Sequence, residues 1–285
     1  MKIVTDSAAD LTPEDIASHG ITVAPLYIQF PEGERESEEI SRDEFYQRLE
    51  AMQPHAPTTV QPSPGDFASL YERLLAAGEE VLSIHISSGL SGTINAARLG
   101  AARVGEKIVH LIDTLTLSGG QRFQVLAAAR AIEAGWPLEA VRARLEQIRA
   151  EAEVVYTLDT LNYLARGGRI GRVQALAGSL LHIKPVIHVD REDGKYTTVG
   201  KSRTIARALQ DITSHLSNLY GRQALWVSVM HGQFEEKANQ LAAMLQDSLE
   251  IARLEVLRIS PVLGVHTGPG IVGAAVVPMR LMEDV

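Results

Sequence analysis

Residues 80–104 read EVLSIHISSGLSGTINAARLGAARV, and they contain three successive patterns. The apolar run at residues 81–86 is typical of a buried strand, and the alanine-rich segment from Thr93 is typical of a helix. Ser91 and Gly92 lie in the polar turn that joins them. A strand, a polar turn and a helix in this order predict a βα unit of a mainly parallel sheet.

The same alternation extends through the first half of the chain. Strands are predicted in KIVTDS, ITVAPLYIQF and KIVHLIDT, at residues 2–7, 21–30 and 107–114. Helices are predicted to begin after Thr12, Ser41 and Ser63, which are residue types that favour helix N-caps, and a long helical region should break at Trp136–Pro137. The acidic segment before Ser41 and the segment PTTVQPSP are expected to be loops.

The second half of the chain has a different pattern. Residues 180–204 predict an antiparallel hairpin with Asp193-Gly194 at its turn, followed by strands that flank a helix from about Glu235. GIVGAAVVPM has the length of a buried strand. We predict an α/β fold with an N-terminal domain of residues 1–150 and a C-terminal domain of residues 151–285, whose last strand is a candidate to return to the interface.

Composition excludes several classes of function. The net charge of −8 disfavours nucleic acid or an anionic membrane surface as the main partner. The absence of cysteine excludes disulfides and thiolate metal sites, and a reducing cytoplasm is the expected compartment. The polar N-terminus is no signal peptide, and no apolar run is long enough to span a membrane.

The turn SGLSGT indicates an anion site. Ser91, Gly92 and Thr93 stand where a helix N-terminus should offer free N–H groups and hydroxyls. No lysine follows the glycines, so this is no nucleotide-binding P-loop. Capping of the helix by Ser91 is the alternative explanation.

Three further segments are rich in Gly, Pro, His or Arg near strand ends, where open α/β sheets bind ligands. LGVHTGPG, at residues 263–270, is expected to be a tight, exposed loop around His266. PTTVQPSP is either a pre-organised binding loop or a rigid linker. LARGGRIGR carries Arg166, Arg169 and Arg172 and is either a phosphate or docking patch or a solvated turn. Helix capping is expected to account for Asp10.

These segments occur together in one order. TDSAADL, PTTVQPSP, SGLSGT, IDTLTLSGG, LARGGRI, LLHIKPVI and GVHTGPG form a series that resembles the DegV family from residue 3 to beyond residue 270. The resemblance implies a two-domain fold, with a parallel N-terminal sheet, a mixed C-terminal sheet and a ligand tunnel between the domains. It implies a non-enzymatic carrier of one long-chain fatty acid that serves a separate ATP-dependent fatty acid kinase in phospholipid synthesis, without a cofactor, metal or stable membrane insertion.

The resemblance also implies site residues. The fatty acid carboxylate would be held by Thr59, Ser91 and His266. The supporting loop residues would be Thr58, Gln61, Gly92, Thr93, Thr267 and Gly268. Candidates for kinase docking or phosphate contact are Arg166, Arg169, Lys201 and Arg203. One residue departs from the family's usual Thr-Ser-Gln-Pro: Val60 removes a hydroxyl.

Two other functions stay open at this stage. His266 could act as a nucleophile or general base on a carbonyl or acyl substrate, as in the similar substrate-binding subunit of dihydroxyacetone kinase. The chain could instead be a regulatory module that senses free fatty acid. Chain length, unsaturation preference and oligomeric state are not readable from this sequence.

Overall fold

A computed structural model describes residues 1–105, 108–173 and 183–283. The strands are β1 Lys2–Asp6, β2 Thr22–Ala24, β3 Tyr27–Phe30, β4 Gly33–Glu36, β5 Thr58–Val60, β6 Val81–His85, β7 Val109–Asp113, β8 Glu153–Leu158, β9 Lys184–Val189, β10 Tyr196–Ser202, β11 Leu225–His231, β12 Ile251–Arg258 and β13 Ile271–Pro278. The helices are α1 Pro13–His19, α2 Arg42–Ala51, α3 Pro64–Leu75, α4 Thr93–Val104, α5 Ser118–Glu133, α6 Leu138–Glu151, α7 Asn162–Arg166, α8 Ile205–Tyr220, α9 Glu235–Ser248, α10 Pro261–Thr267 and α11 Arg280–Glu283.

The N-terminal part contains the predicted parallel sheet. Its order is β2-β1-β6-β7, and all three pairings are parallel. The predicted N-caps are present: the side chains of Thr12, Ser41 and Ser63 each accept a hydrogen bond from a backbone N–H of the first helical turn. Capping therefore starts α1, α2 and α3 where the residue types indicated.

The C-terminal part contains the predicted mixed sheet. Its order is β10-β9-β8-β13-β11-β12, with one parallel pair, β11 and β12. The hairpin of β9 and β10 is confirmed, although residues 180–182 of its predicted segment lie outside the described residues. The last strand, β13, lies inside the sheet between β8 and β11. The division of the chain near residue 150 stays a prediction.

Helix α5 joins the two large sheets. Nearly all of its residues are buried, and it contacts β1 and β6 of one sheet and β8 and β13 of the other. Phe123 packs with Leu82 on one side and with Trp226 and Ala275 on the other in a single apolar cluster. Gly119 permits this contact, because a Cβ there would collide with the Cβ of Ala275. The burial of apolar surface around α5 fixes the two sheets against each other.

A small antiparallel sheet of order β4-β3-β5 corrects three expectations. ITVAPLYIQF is not one strand: it divides at Pro25 into β2 and β3, which belong to different sheets, because proline interrupts a ladder. The acidic segment before Ser41 includes β4 rather than being only a loop. PTTVQPSP likewise includes β5, whose residues pair with β3.

Two further expectations were wrong. Residues 263–270 are not a loop, because α10 begins with proline at its first position and ends at Thr267, so His266 lies in its last turn. Asp10 is the C-cap residue of a short 3-10 helix at Ser7–Ala9, but capping does not account for its side chain. It is buried and accepts hydrogen bonds from the Ser118 hydroxyl at 2.5 Å and the Ser260 N–H at 2.7 Å, which ties the N-terminal strand region to α5 and α10.

Among the described residues, no helix has both the length and the hydropathy required to cross a bilayer.

Candidate functional site

One cavity, here called the head cavity, brings together residues from both halves of the chain. Its lining comprises Leu26, Thr59, Val60, Gln61, Ile86, Leu90, Ser91, Leu117, Arg169, Tyr196, Val262, Leu263, His266 and Thr267. The three residues that the resemblance implied for carboxylate binding, Thr59, Ser91 and His266, therefore share one cavity. They come from β5, the turn before α4, and α10, which are far apart in sequence.

Thr59 and His266 form a hydrogen-bonded pair. The Thr59 Oγ1 and the His266 Nε2 are 2.8 Å apart. The other ring atom of His266, Nδ1, is buried beside Gly167 and has no hydrogen-bond partner among the described residues. If Nε2–H donates to Thr59, the unpaired Nδ1 is only an acceptor, and the hydroxyl proton of Thr59 is free to bind an oxygen of a ligand.

Burial, and then the charge of Arg169, lower the pKa of His266 to about 4. The imidazole is consequently neutral near pH 7. No carboxylate hydrogen-bonds to His266 within the described residues, so the ring lacks the acidic partner that orients a catalytic base in a triad. This geometry suits a hydrogen-bonding role better than the nucleophile or base considered above.

Ser91 stands at the start of α4. Its Oγ lies 2.8 Å from the Thr93 Oγ1 and accepts a long, 3.3 Å hydrogen bond from the Thr93 N–H. Ser91 is not the N-cap of α4, because that position is Gly92, which has no side-chain cap, and the residue Ser91 lines the head cavity. Gln61 also lines the cavity and lies against Gly92, where a Cβ would collide with the Gln61 amide.

A second cavity, here called the tail cavity, shares part of its lining with the first. Both are lined by Leu117, Tyr196, Leu263 and Thr267. The rest of the tail cavity is formed by Ser118, Val154, Val155, Tyr156, Met230, Ile259, Ile271, Gly273 and Ala274. The two cavities are therefore neighbours: the tail cavity is mostly apolar, and the polar Thr59–His266 pair lines the head cavity.

Two tyrosines line the tail cavity without adding charge. The rings of Tyr156 and Tyr196 meet edge to face, with centroids 5.7 Å apart. Burial raises the pKa of Tyr196 to about 12 and raises the pKa of Tyr156 as well. Both side chains therefore stay neutral, and the interior of the cavity suits an uncharged chain.

The remaining predicted residues are distributed differently. Thr267 lines both cavities, whereas Thr58, Gly92, Thr93 and Gly268 line neither. Thr93 is buried at the start of α4. Gly268 has a φ of 73°, and a Cβ there would collide with the ring of Tyr163, so it serves the turn after α10.

The four basic residues proposed for kinase docking or phosphate contact have different surroundings. Arg169 lines the head cavity and donates to the Gly167 carbonyl at 2.6 Å. Arg166 is exposed and donates to Gln53 at 3.2 Å. Lys201 and Arg203 are exposed at the end of β10 and line neither cavity. The third arginine of the LARGGRIGR segment, Arg172, pairs with Asp190 and Asp193.

Sequence reasoning missed several members of the site. Tyr196 and Leu263 connect the two cavities, but nothing local to them signals a ligand. Arg169 had a signal, the Gly-rich basic turn, although that signal was interpreted as a docking surface. A third cavity of about 940 Å³ lies elsewhere and is lined by Asp6, Asp10 and Glu38 together with Arg42. Its acidic lining is unfavourable for an anion.

The fold and the site together define a class of α/β proteins with a deep apolar cavity behind a small polar mouth. This chain belongs to the DegV family: the family model described as "Uncharacterised protein, DegV family" matches residues 1–279. It has the two-domain α/β fold of that family, with the parallel sheet in the N-terminal part and the mixed sheet in the C-terminal part.

Similar proteins support this assignment. A DegV domain-containing protein of Deinococcus radiodurans is 36% identical over 277 residues, which cover 97% of this chain and 95% of the relative. The structure of a DegV family protein from Thermus thermophilus, described as fatty acid binding, has 34% identity and a TM-score of 0.91 over 97% of this chain and 99% of that one. A stearic acid-binding protein from Eubacterium ventriosum has 28% identity and a TM-score of 0.89, with coverage of 97% and 98%.

Proposed function

We propose that this protein binds a long-chain fatty acid, with the acyl chain in the head and tail cavities and the carboxylate at Thr59, Ser91 and His266. The observation that carries the proposal is that the polar head cavity and the apolar tail cavity are neighbours, since Leu117, Tyr196, Leu263 and Thr267 line both. The description of the Thermus and Eubacterium relatives as fatty acid- and stearic acid-binding proteins supports the same ligand class.

The two ends of the cavity would contribute differently to affinity. Burying one methylene contributes about 0.8 kcal/mol, so an acyl chain of about fourteen methylenes offers roughly 11 kcal/mol before the cost of ordering it. A hydrogen bond to a charged group contributes about 1.5–3 kcal/mol. Affinity should therefore follow burial of the chain, while the polar mouth fixes which end faces outward.

The polar mouth would bind the carboxylate mainly through hydroxyl groups. With Nε2–H of His266 donating to the Thr59 Oγ1, the Thr59 hydroxyl proton points to the ligand, and the Ser91 hydroxyl supplies a second donor. The guanidinium of Arg169 supplies positive charge at the same cavity. Val60, in place of the serine usual at this position, leaves the mouth with one hydroxyl fewer.

The finer part of the proposal concerns a partner. We propose that the carrier acts in the cytoplasm and presents the carboxylate to a separate ATP-dependent fatty acid kinase, which forms an acyl phosphate for phospholipid synthesis. The resemblance to DegV proteins supports this role. Arg166, Lys201 and Arg203 are exposed and are the candidates for docking, whereas Arg169 is the candidate for contact with the new phosphate.

Organic extraction of the purified protein, followed by mass spectrometry, tests the ligand. We expect one long-chain fatty acid per protein molecule, released by denaturation without a covalent remnant. After delipidation, the protein should take up one equivalent of palmitic acid. Failure to bind any fatty acid, or an adduct on His266 that survives denaturation, would contradict a carrier.

A reconstituted reaction tests the partner. A mixture of the loaded protein, a kinase subunit and ATP should form acyl phosphate, and Arg166→Glu with Lys201→Glu and Arg203→Glu should slow turnover without changing fatty acid affinity. Arg222→Glu is the matched control, because Arg222 is exposed and lines neither cavity. If the wild-type protein, the triple variant and the Arg222→Glu control supported equal kinase turnover, Arg166, Lys201 and Arg203 would not belong to the docking surface.

A further inference from the structure

A second site is formed by Glu153, His188 and His215, none of which lines the head or tail cavity. Glu153 begins β8, His188 lies on β9 and His215 lies on α8. Each residue presents one ligand atom, and the three atoms lie within 4.8 Å of one another. Two imidazoles and one carboxylate therefore lie close enough together to bind the same ion.

The two rings meet at the same carboxylate oxygen. The His188 Nδ1 is 2.8 Å and the His215 Nε2 is 2.9 Å from the Glu153 Oε1. The other oxygen of Glu153, Oε2, accepts a hydrogen bond from Arg191 at 2.8 Å. Arg191 is held in turn by the backbone carbonyls of Ala150 and Ala152. The carboxylate is thus fixed from behind, with Oε1 directed at the two rings.

This arrangement has the chemistry of a transition-metal site. Zinc takes imidazole nitrogen and carboxylate oxygen at about 2.0–2.2 Å, and two histidines with one glutamate and a water form a known zinc ligand set. Imidazole donors favour zinc and its neighbours over magnesium and calcium. We propose that Glu153, His188 and His215 bind one Zn²⁺ ion, which joins α8 to β8 and β9.

The ion would require a rearrangement of the three donor atoms. Tetrahedral ligand atoms at zinc are about 3.3 Å apart, so each imidazole nitrogen must move a few tenths of an ångström away from the Glu153 Oε1, and the two nitrogens, which lie within 4.8 Å of each other, must reach the same spacing. The side chains of His188 and His215 are 22% and 27% exposed, whereas that of Glu153 is 3% exposed. The exposed edges of the rings give the ion a path in and leave room for a water as the fourth ligand.

Arg191 orients the carboxylate as the outer-shell partners of metal ligands do. Its positive charge opposes a cation, but its hydrogen bonds with Glu153 and two carbonyls balance that charge locally. The competing explanation is a metal-free network in which both rings donate to Glu153. The two explanations predict different responses to zinc, and the experiment separates them.

Isothermal titration of the metal-free full-length protein with Zn²⁺ tests the site. We expect one bound ion, a rise in Tm on zinc addition, and at least a tenfold loss of affinity in His188→Gln and in His215→Gln. Mg²⁺ should produce neither effect. His110→Gln is the matched control, since His110 pairs with the single carboxylate of Glu80 and should leave zinc binding unchanged.

Cobalt keeps the proposal testable even if a variant folds poorly. The wild-type protein loaded with Co²⁺ should show the visible absorption of a four-coordinate site, and one equivalent of Zn²⁺ should abolish it. Absence of zinc binding by the wild-type protein would overturn the proposal. Zinc binding of equal strength in the wild-type, His188→Gln and His215→Gln proteins would overturn it as well.

Discussion

Two histidines, the buried His85 and the partly exposed His266, show how differently this fold uses the same side chain. His85 lies in β6 with no solvent exposure, its Nδ1 2.9 Å from Asp6 and its Nε2 2.7 Å from the Ser83 hydroxyl. The Ser83 hydroxyl is in turn 2.9 Å from that of Tyr71. His266 uses only Nε2, toward Thr59, and lies against a cavity.

The comparison teaches that composition alone does not identify a site. Asp6, His85 and Ser83 have the residue types of a hydrolase triad, but all three are buried, and the ring of His85 is hydrogen-bonded on both sides by internal groups. The His266 mouth has unused hydrogen-bonding capacity beside unfilled space. Unused polarity next to a cavity, rather than a familiar set of residues, indicates ligand binding here.

The largest expected effect is a loss of stability when the hydrogen-bond network of His85 is removed. His85→Ala should lower the free energy of unfolding by about 3 kcal/mol, because it removes the ring between the buried Asp6 carboxylate and the Ser83 hydroxyl and leaves a cavity in its place. His266→Ala should lower it by only about 1 kcal/mol, since one ring nitrogen is already unpaired. Urea unfolding of the ligand-free proteins measures both values. If His266→Ala lowered the free energy of unfolding more than His85→Ala, the structural role assigned to His85 and the binding role assigned to His266 would be contradicted.

The next effect concerns the apolar space behind His266. Leu263→Phe adds three carbons where the head and tail cavities meet, and should displace about three methylenes of the chain at 0.8 kcal/mol each, a roughly 50-fold loss of palmitic acid affinity. Decanoic acid should lose much less. A calorimetric titration with both acids checks this difference.

Leu216→Phe is the matched control for that substitution. Leu216 is fully buried in α8 and lines neither cavity. It should therefore cost stability through overpacking without changing the preference for chain length. An equal shift in preference in both variants would show that the cavity junction does not hold the chain.

The third effect is a pH dependence that belongs to His266. Its pKa of about 4 in the folded protein is below its unfolded value of 6.5, so its contribution to stability is complete above pH 6.5 and is lost as the pH falls toward 4. Between pH 7.5 and pH 5 this loss should be about 2 kcal/mol. His266→Gln should remove it, and the difference between the two proteins excludes other groups, such as Asp10. If the wild-type and His266→Gln proteins lost the same free energy of unfolding between pH 7.5 and pH 5, the low pKa of His266 would be contradicted.

The smallest expected effect on fatty acid affinity comes from substitutions at the polar mouth, which should nevertheless strongly reduce acyl phosphate formation. Ser91→Ala with His266→Ala should weaken fatty acid binding only about tenfold, because the chain supplies most of the affinity. Acyl phosphate formation with a kinase should fall far more, since the carboxylate is no longer held at the mouth. If the double variant lost its fatty acid altogether, the division of roles between mouth and chain would be wrong.

Local chemistry made much of the fold predictable. The caps at Thr12 and Ser63, the βα unit at residues 80–104 and the hairpin turn at Asp193-Gly194 each depend on residues close in sequence. Pro25 was misjudged, because the apolar run around it continues although the strands belong to different sheets. α10 was missed since it is only seven residues long, contains Gly264 and is followed at once by Gly268, Pro269 and Gly270, so that only Pro261 at its start indicates a helix.

The site was predictable in part, through the order of its motifs rather than through any one of them. The convergence of Thr59, Ser91 and His266 followed from that series. The direction of Arg169 into the head cavity did not, because packing after a Gly-rich turn decides where a side chain points. The Glu153, His188 and His215 cluster was also unpredicted, since its members come from three elements whose contact depends on sheet order.

A crystal structure of the protein loaded with palmitic acid tests the central claim most directly. We predict continuous density from the head cavity into the tail cavity, with a carboxylate oxygen within hydrogen-bond distance of the Thr59 Oγ1 and the Ser91 Oγ. Density with the methyl end at His266, or a fatty acid bound outside both cavities, would contradict the account.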